Sequence, residues 1–79
     1  MVNEVKKYYL KEFTYFDGEC DITFNIMGIN FENQTIDIAV TNRGKISVLE
    51  YDLFKDSNGD FYFEFGVMLD KIHINNFED

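Results

Sequence analysis

The chain has no proline and no tryptophan, and only one cysteine and one histidine among 79 residues. A lone cysteine, Cys20, cannot form an internal disulfide, so no covalent staple holds the fold. Cys20 and His73 fall short of the four ligands, usually in Cys/His spacing, that a zinc site needs. As a catalytic thiol–imidazole pair they lack supporting spacing and any oxyanion-stabilising motif. A buried thiol beside a turn and a surface imidazole are the simpler reading. The five glycines form no phosphate-cradling pattern of the G-x-x-x-x-G-K kind. No apolar run approaches the roughly 18 residues that span a bilayer. The N-terminal MVNEVKKYYLKEF lacks the apolar centre of a signal peptide. A cytoplasmic location without a membrane partner is therefore expected, and the sequon Asn33-Gln34-Thr35 is read as incidental. Basic residues are also scarce, seven against fifteen acids, for a net charge of −8 at pH 7.

Apolar material is plentiful by contrast. The chain is 46% hydrophobic and 18% aromatic, with nine Phe and five Tyr. That suffices for one small core and argues against disorder, and the length leaves no room for a second domain. The acids are unevenly spread. Residues 50–79 hold eight acids and two bases, whereas residues 1–49 hold seven acids and five bases. Such a surface repels nucleic acid and anionic lipid and attracts basic partners. Aromatic-rich β domains that stack on single-stranded nucleic acid also need a basic groove, so direct nucleic-acid binding is not expected.

Short alternating apolar runs broken by turn signals predict an antiparallel all-β fold. The runs are Tyr8–Phe16, Asp21–Ile29, Thr35–Thr41, Ile46–Phe54 and Phe61–Val67, with a sixth around Lys71–Ile74. The expected architecture is a single small antiparallel meander of five to six strands, as a strongly bent sheet or a small barrel. Val5, Tyr9, Phe13 and Phe16 also fit a helical stripe, so an α+β fold with a short N-terminal helix over residues 4–16 is the alternative. A two-residue Asp17-Gly18 loop would place Phe13 opposite Ile22 and Tyr9 opposite Ile26. The period then slips twice. A bulge at Met27-Gly28 would bring Ile29 back into phase with Ile22, Phe24 and Ile26. A second slip is expected between Ile46-Val48 and Leu49-Tyr51-Leu53.

The stretch KDSNGDFYFEFG, residues 55–66, begins like a calcium loop, with oxygen-bearing side chains at Asp56, Asn58 and Asp60. A calcium loop then needs Gly at its sixth position and Glu at its twelfth. Here those positions are Phe61 and Val67. A hairpin with a three-residue Ser57-Asn58-Gly59 loop explains the stretch better, with Gly59 in the left-handed conformation. It places Leu53 opposite Phe63, Phe54 opposite Tyr62 and Asp52 opposite Glu64. Glu50 and Asp60 would lie along the same outer face as Asp52 and Glu64. Like charges opposed in a ladder destabilise by a few tenths to about 1 kcal/mol. A cluster that folding does not need is a candidate for binding. Glu50, Asp52, Asp60, Tyr62 and Glu64 are accordingly the expected partner-binding residues, with no catalytic, cofactor or metal site. Paired carboxylates could serve glycoside hydrolysis, but a flat hairpin surface offers no cleft for it.

In its length, acidity and lack of catalytic motifs the chain is similar to small nucleic-acid-mimicking inhibitors made by phages and mobile elements, such as anti-restriction and anti-CRISPR proteins. That resemblance is compositional. It implies carboxylates standing in for phosphates in the basic groove of a nucleic-acid-binding enzyme. The alternative is a protein-interaction or self-associating β domain that uses exposed aromatics such as Tyr8, Phe16, Phe54 and Tyr62.

Overall fold

The computed structural model of the protein describes residues 8–79. Among them, β1 (Glu12–Phe16), β2 (Asp21–Asn30), β3 (Thr35–Asn42) and β4 (Lys45–Asp52) form a four-stranded sheet. Strands β5 (Phe54–Lys55), β6 (Phe61–Phe65) and β7 (Asp70–His73) form a three-stranded one. Both are antiparallel, spatial order follows chain order in each, and one 3-10 turn, Ile74–Asn76, ends the run. The fold is thus all-β, as the alternation requires. The run Ile46–Phe54 becomes two strands because Leu53 leaves the ladder and buries its side chain. The sheet bends at that corner and does not close into a barrel. An isolated bridge between Glu12 and Glu78 ties the C-terminal segment to β1.

Strand alternation builds the core. On β2, Ile22, Phe24 and Ile26 point inward, and on β3, Ile36, Ile38 and Val40 do the same. The small sheet covers them with Phe63 from β6 and Ile72 from β7, and Ile74 and Phe77 pack beside these. Phe24 and Phe63, both at 0% exposure, meet edge to face with centroids 5.6 Å apart. Each such buried ring contributes about 1.5–3 kcal/mol of transfer free energy, plus roughly 0.5–1.5 kcal/mol for a well-oriented aromatic pair. The expected bulge is present. The β2–β3 register shifts between Ile26 and Gly28, which returns Ile29 to the core face.

Three local expectations need correction. The first hairpin pairs Phe13 with Phe24 and Tyr15 with Ile22, so its loop has four residues, not two. Asp17 explains the longer loop: its Oδ1 accepts the backbone N–H of Glu19 (2.8 Å) and of Cys20 (2.9 Å). Secondly, β1 begins at Glu12, not Tyr8, because Lys11 N–H turns back to Tyr8 O (3.1 Å) and Leu10 adopts φ 65°. Tyr9 therefore does not oppose Ile26. The helical alternative for residues 4–16 is strand from Glu12 onward, and residues 4–7 lie outside the described ones. Thirdly, no slip occurs at Val48-Leu49. The β3–β4 register runs unbroken from Asn42–Lys45 to Thr35–Asp52. Its apolar residues simply occupy both faces. Among the described residues, no helix is long and apolar enough to cross a membrane.

Candidate acidic groove between β4 and β6

The β5–β6 hairpin positions the groove, and its turn has the expected form. Asp56 and Asp60 close a three-residue loop, with Asp56 N–H donating to Asp60 O (2.9 Å) and Gly59 N–H to Asp56 O (3.0 Å). Gly59 has φ 85°, a region closed to most side chains. Asp56 braces the turn from inside. Its Oδ1 accepts the N–H of Asn58 (2.9 Å) and of Asp60 (3.0 Å), and its Oδ2 lies 3.1 Å from His73 Nε2. The N–H of Asp60, the His73 ring and the N–H of Asn58 together hold the Asp56 carboxyl below its ordinary value of 3.8. The Asp56 and Asp60 carboxylates of the calcium-like stretch thus serve the turn and its neighbours. Asp60 Oδ1 accepts from Asn75 Nδ2 (2.9 Å).

Beyond Phe54–Tyr62 the hairpin ladder opens. Leu53 N–H donates to Gln34 O (2.8 Å), so the chain before it stays with β3 while β6 turns to pair with β7. Asp52 and Glu64 are therefore not ladder partners, and Glu64 faces Lys71 instead. The strands diverge around a groove of about 280 Å³, lined by Glu50, Tyr51, Asp52, Phe54, Glu64 and Leu69. Three of those six residues are carboxylates and none is basic. Among the described residues none of the three makes an ion pair. The ammonium of Lys71 sits over the Tyr62 ring, 5.2 Å from its centroid. On β4, alternate carboxylates at Glu50 and Asp52 recur at about 6.8 Å, two strand residues apart.

Glu50, Asp52 and Glu64 are thus brought together, while Asp60 and Tyr62 are not among the groove residues. Asp60 belongs to the turn. Tyr62 is half-buried between Phe54, stacked at 5.5 Å, and His73 at 5.2 Å. Leu69 escaped the sequence reading. It arrives from the Gly66–Leu69 turn between β6 and β7, at φ 53°. The signal was the apolar Val67-Met68-Leu69 where a turn should be polar. A second hollow of similar size, also acidic, lies between Glu12, Phe13, Thr14 and the C-terminal Asn76, Glu78 and Asp79.

Cys20 and His73 sit in different neighbourhoods. Cys20 Sγ lies 3.4 Å from Asn42 Oδ1 and 3.8 Å from Asp17 Oδ2, whereas His73 meets Asp56 and Tyr62. Cys20 is half-buried beside its turn, and His73 is half-buried rather than a surface residue. Arg43 reaches Glu19 at 3.6 Å, an exposed pair contributing about 0–1 kcal/mol. No family model, curated protein or solved structure matches this chain.

Proposed function

We propose that this is a non-enzymatic acidic binding protein whose Glu50–Asp52–Glu64 groove takes basic side chains of a protein partner in place of phosphates, blocking the basic groove of a nucleic-acid-processing enzyme. One observation carries the reading: three carboxylates converge on an open groove with no base among its described lining residues. Uncompensated negative charge there does nothing for folding, and it raises the local potential for an incoming Lys or Arg. Phe54 and Tyr51 add apolar walls on which an Arg can stack.

The test is a partner captured from lysate and then titrated with salt. Capture should fall steeply between 0.1 and about 0.5 M salt, where the Debye length shrinks from about 10 to roughly 4 Å. Nucleic acid should compete with it. The double change Asp52→Asn, Glu64→Gln should weaken binding without lowering the stability of the free protein. Phe54→Ala should matter less. Salt-insensitive capture that depends on Phe54 and Tyr62, and not on the carboxylates, refutes the mimic and leaves an apolar interface.

A further inference from the structure

Among the described residues, β4 is the last strand of its sheet, and its ladder partners all lie on β3. Two observations show which backbone groups face outward. The two-residue Arg43-Gly44 turn is closed by Asn42 and Lys45, and Leu53 N–H reaches Gln34 O in the same phase. In an antiparallel ladder the bonded pairs alternate with unbonded ones. The N–H and C=O groups of Lys45, Ser47, Leu49 and Tyr51 therefore point at β3. Those of Ile46, Val48, Glu50 and Asp52 point away from it.

Open edges of this kind are normally blunted by proline, bulges, charged side chains, short length or a covering segment. Of these, among the described residues, β4 has charges alone, at its two ends. β4 is eight residues long, its register is unbroken, and the chain has no proline. The other edges are managed. Glu12 on β1 exchanges two bonds with Glu78, at 2.7 and 2.8 Å, while β7 has four residues and β5 two. On the face of β4 away from the core, Ile46 and Val48 are 69% and 62% exposed. The strand is also electrically polar. Arg43 and Lys45 stand at its start, Glu50 and Asp52 at its end.

We propose that β4 pairs antiparallel with β4 of a second copy of this chain, about a two-fold axis normal to the sheet. The two four-stranded sheets then become one continuous sheet. Antiparallel pairing sets the Arg43-Gly44-Lys45 end of each copy beside Glu50 and Asp52 of the other. Parallel pairing would set base against base and acid against acid. The two-fold axis keeps like faces together, so Ile46 and Val48 of both copies share one outer surface. The charge order of the strand thus names its own partner: it is complementary to itself reversed. This inference does not depend on the basic-partner reading, although both use Glu50 and Asp52.

The experiment is sedimentation equilibrium over a range of concentrations, with three engineered chains. Wild type should reach twice its 9.4 kDa monomer mass. Val48→Lys, at an exposed position, should weaken self-association about tenfold or more and leave the circular dichroism unchanged. Salt-sensitive capture of a basic partner by Val48→Lys should survive, which separates failure of this inference from failure of the groove reading. An acidic-start chain (Arg43→Glu, Lys45→Glu) and a basic-end chain (Glu50→Lys, Asp52→Lys) should each stay monomeric, yet form a heterodimer when mixed. A wild type that stays monomeric overturns the proposal, whether its outward amides exchange freely or are covered by another part of the chain. So does a dimer indifferent to both Val48→Lys and the charge exchange.

Discussion

Strands β2 and β4 flank β3 on either side, and both are rich in Ile, Val, Leu or Phe. Ile22, Phe24 and Ile26 of β2 are buried, whereas Ile46, Val48 and Leu49 of β4 are exposed. β4 and the residue after it have a core-side set too: Ser47, Leu49, Tyr51 and then Leu53. Only its last two members reach the small sheet, Tyr51 stacking on Phe63 at 4.9 Å and Leu53 buried near it. Apolar alternation makes a face that can be buried. A second layer decides how far along the strand burial extends, and here that layer ends before Leu49.

Removing the cover should produce the largest effect. Phe63→Ala deletes the ring that seals Phe24 and should cost about 3–5 kcal/mol. That is a large share of the 5–15 kcal/mol typical of a whole domain. Ile46→Ala on the uncovered strand should stay within about 0.5 kcal/mol. Urea denaturation of the two variants measures the contrast, and equal losses would mean that β4 is covered after all.

A smaller effect should follow from loosening the turn that holds the cover in place. Gly59→Ala forces a side chain into φ 85°, where nothing crowds the Cβ, so backbone strain is the whole penalty. Roughly 1–2 kcal/mol is expected, with Asn58→Ala costing less. An unchanged melting temperature for Gly59→Ala would show that the turn does not anchor the small sheet.

Acid should loosen the same turn through Asp56. Its carboxyl is held below 3.8 in the folded protein, so ionised Asp56 stabilises the fold fully above that value. The contribution is lost as pH falls through the lowered folded value. Asp56→Asn keeps an acceptor for Asn58 and Asp60 but removes the charge. It should be less stable than wild type at pH 7, and the gap should narrow as pH falls below 3.8. Parallel pH profiles for the two proteins would remove Asp56 from the acid response.

Local chemistry made parts of this fold legible. The αL glycine of the Ser57-Asn58-Gly59 loop is a property of three residues, and the bulge at Met27 follows from one extra residue in an alternating pattern. The register of the first hairpin was not legible. A two-residue and a four-residue loop shift the pairing by two positions and leave the same side chains inward, so hydrophobicity does not distinguish them. The Asp17 carboxylate chose, by accepting two loop N–H groups. Of the groove, Glu50, Asp52 and Glu64 could be placed on one side by alternation. Asp60 could not be separated from them, because its tie to Asn75 spans fifteen residues of sequence. Leu69 came to the groove only through the β6–β7 turn.

By itself the sequence determined the all-β class, the acidic balance, the inward faces of β2 and β3 and the form of the Gly59 turn. These depend on neighbours one to four residues away, through strand alternation and backbone φ preference. Tertiary structure alone decided where the small sheet ends, that the Asp52–Glu64 ladder opens into a groove, and that among the described residues β4 pairs on one side only. Those outcomes depend on which of two faces meets a second layer, and contacts between residues far apart in the chain set that choice.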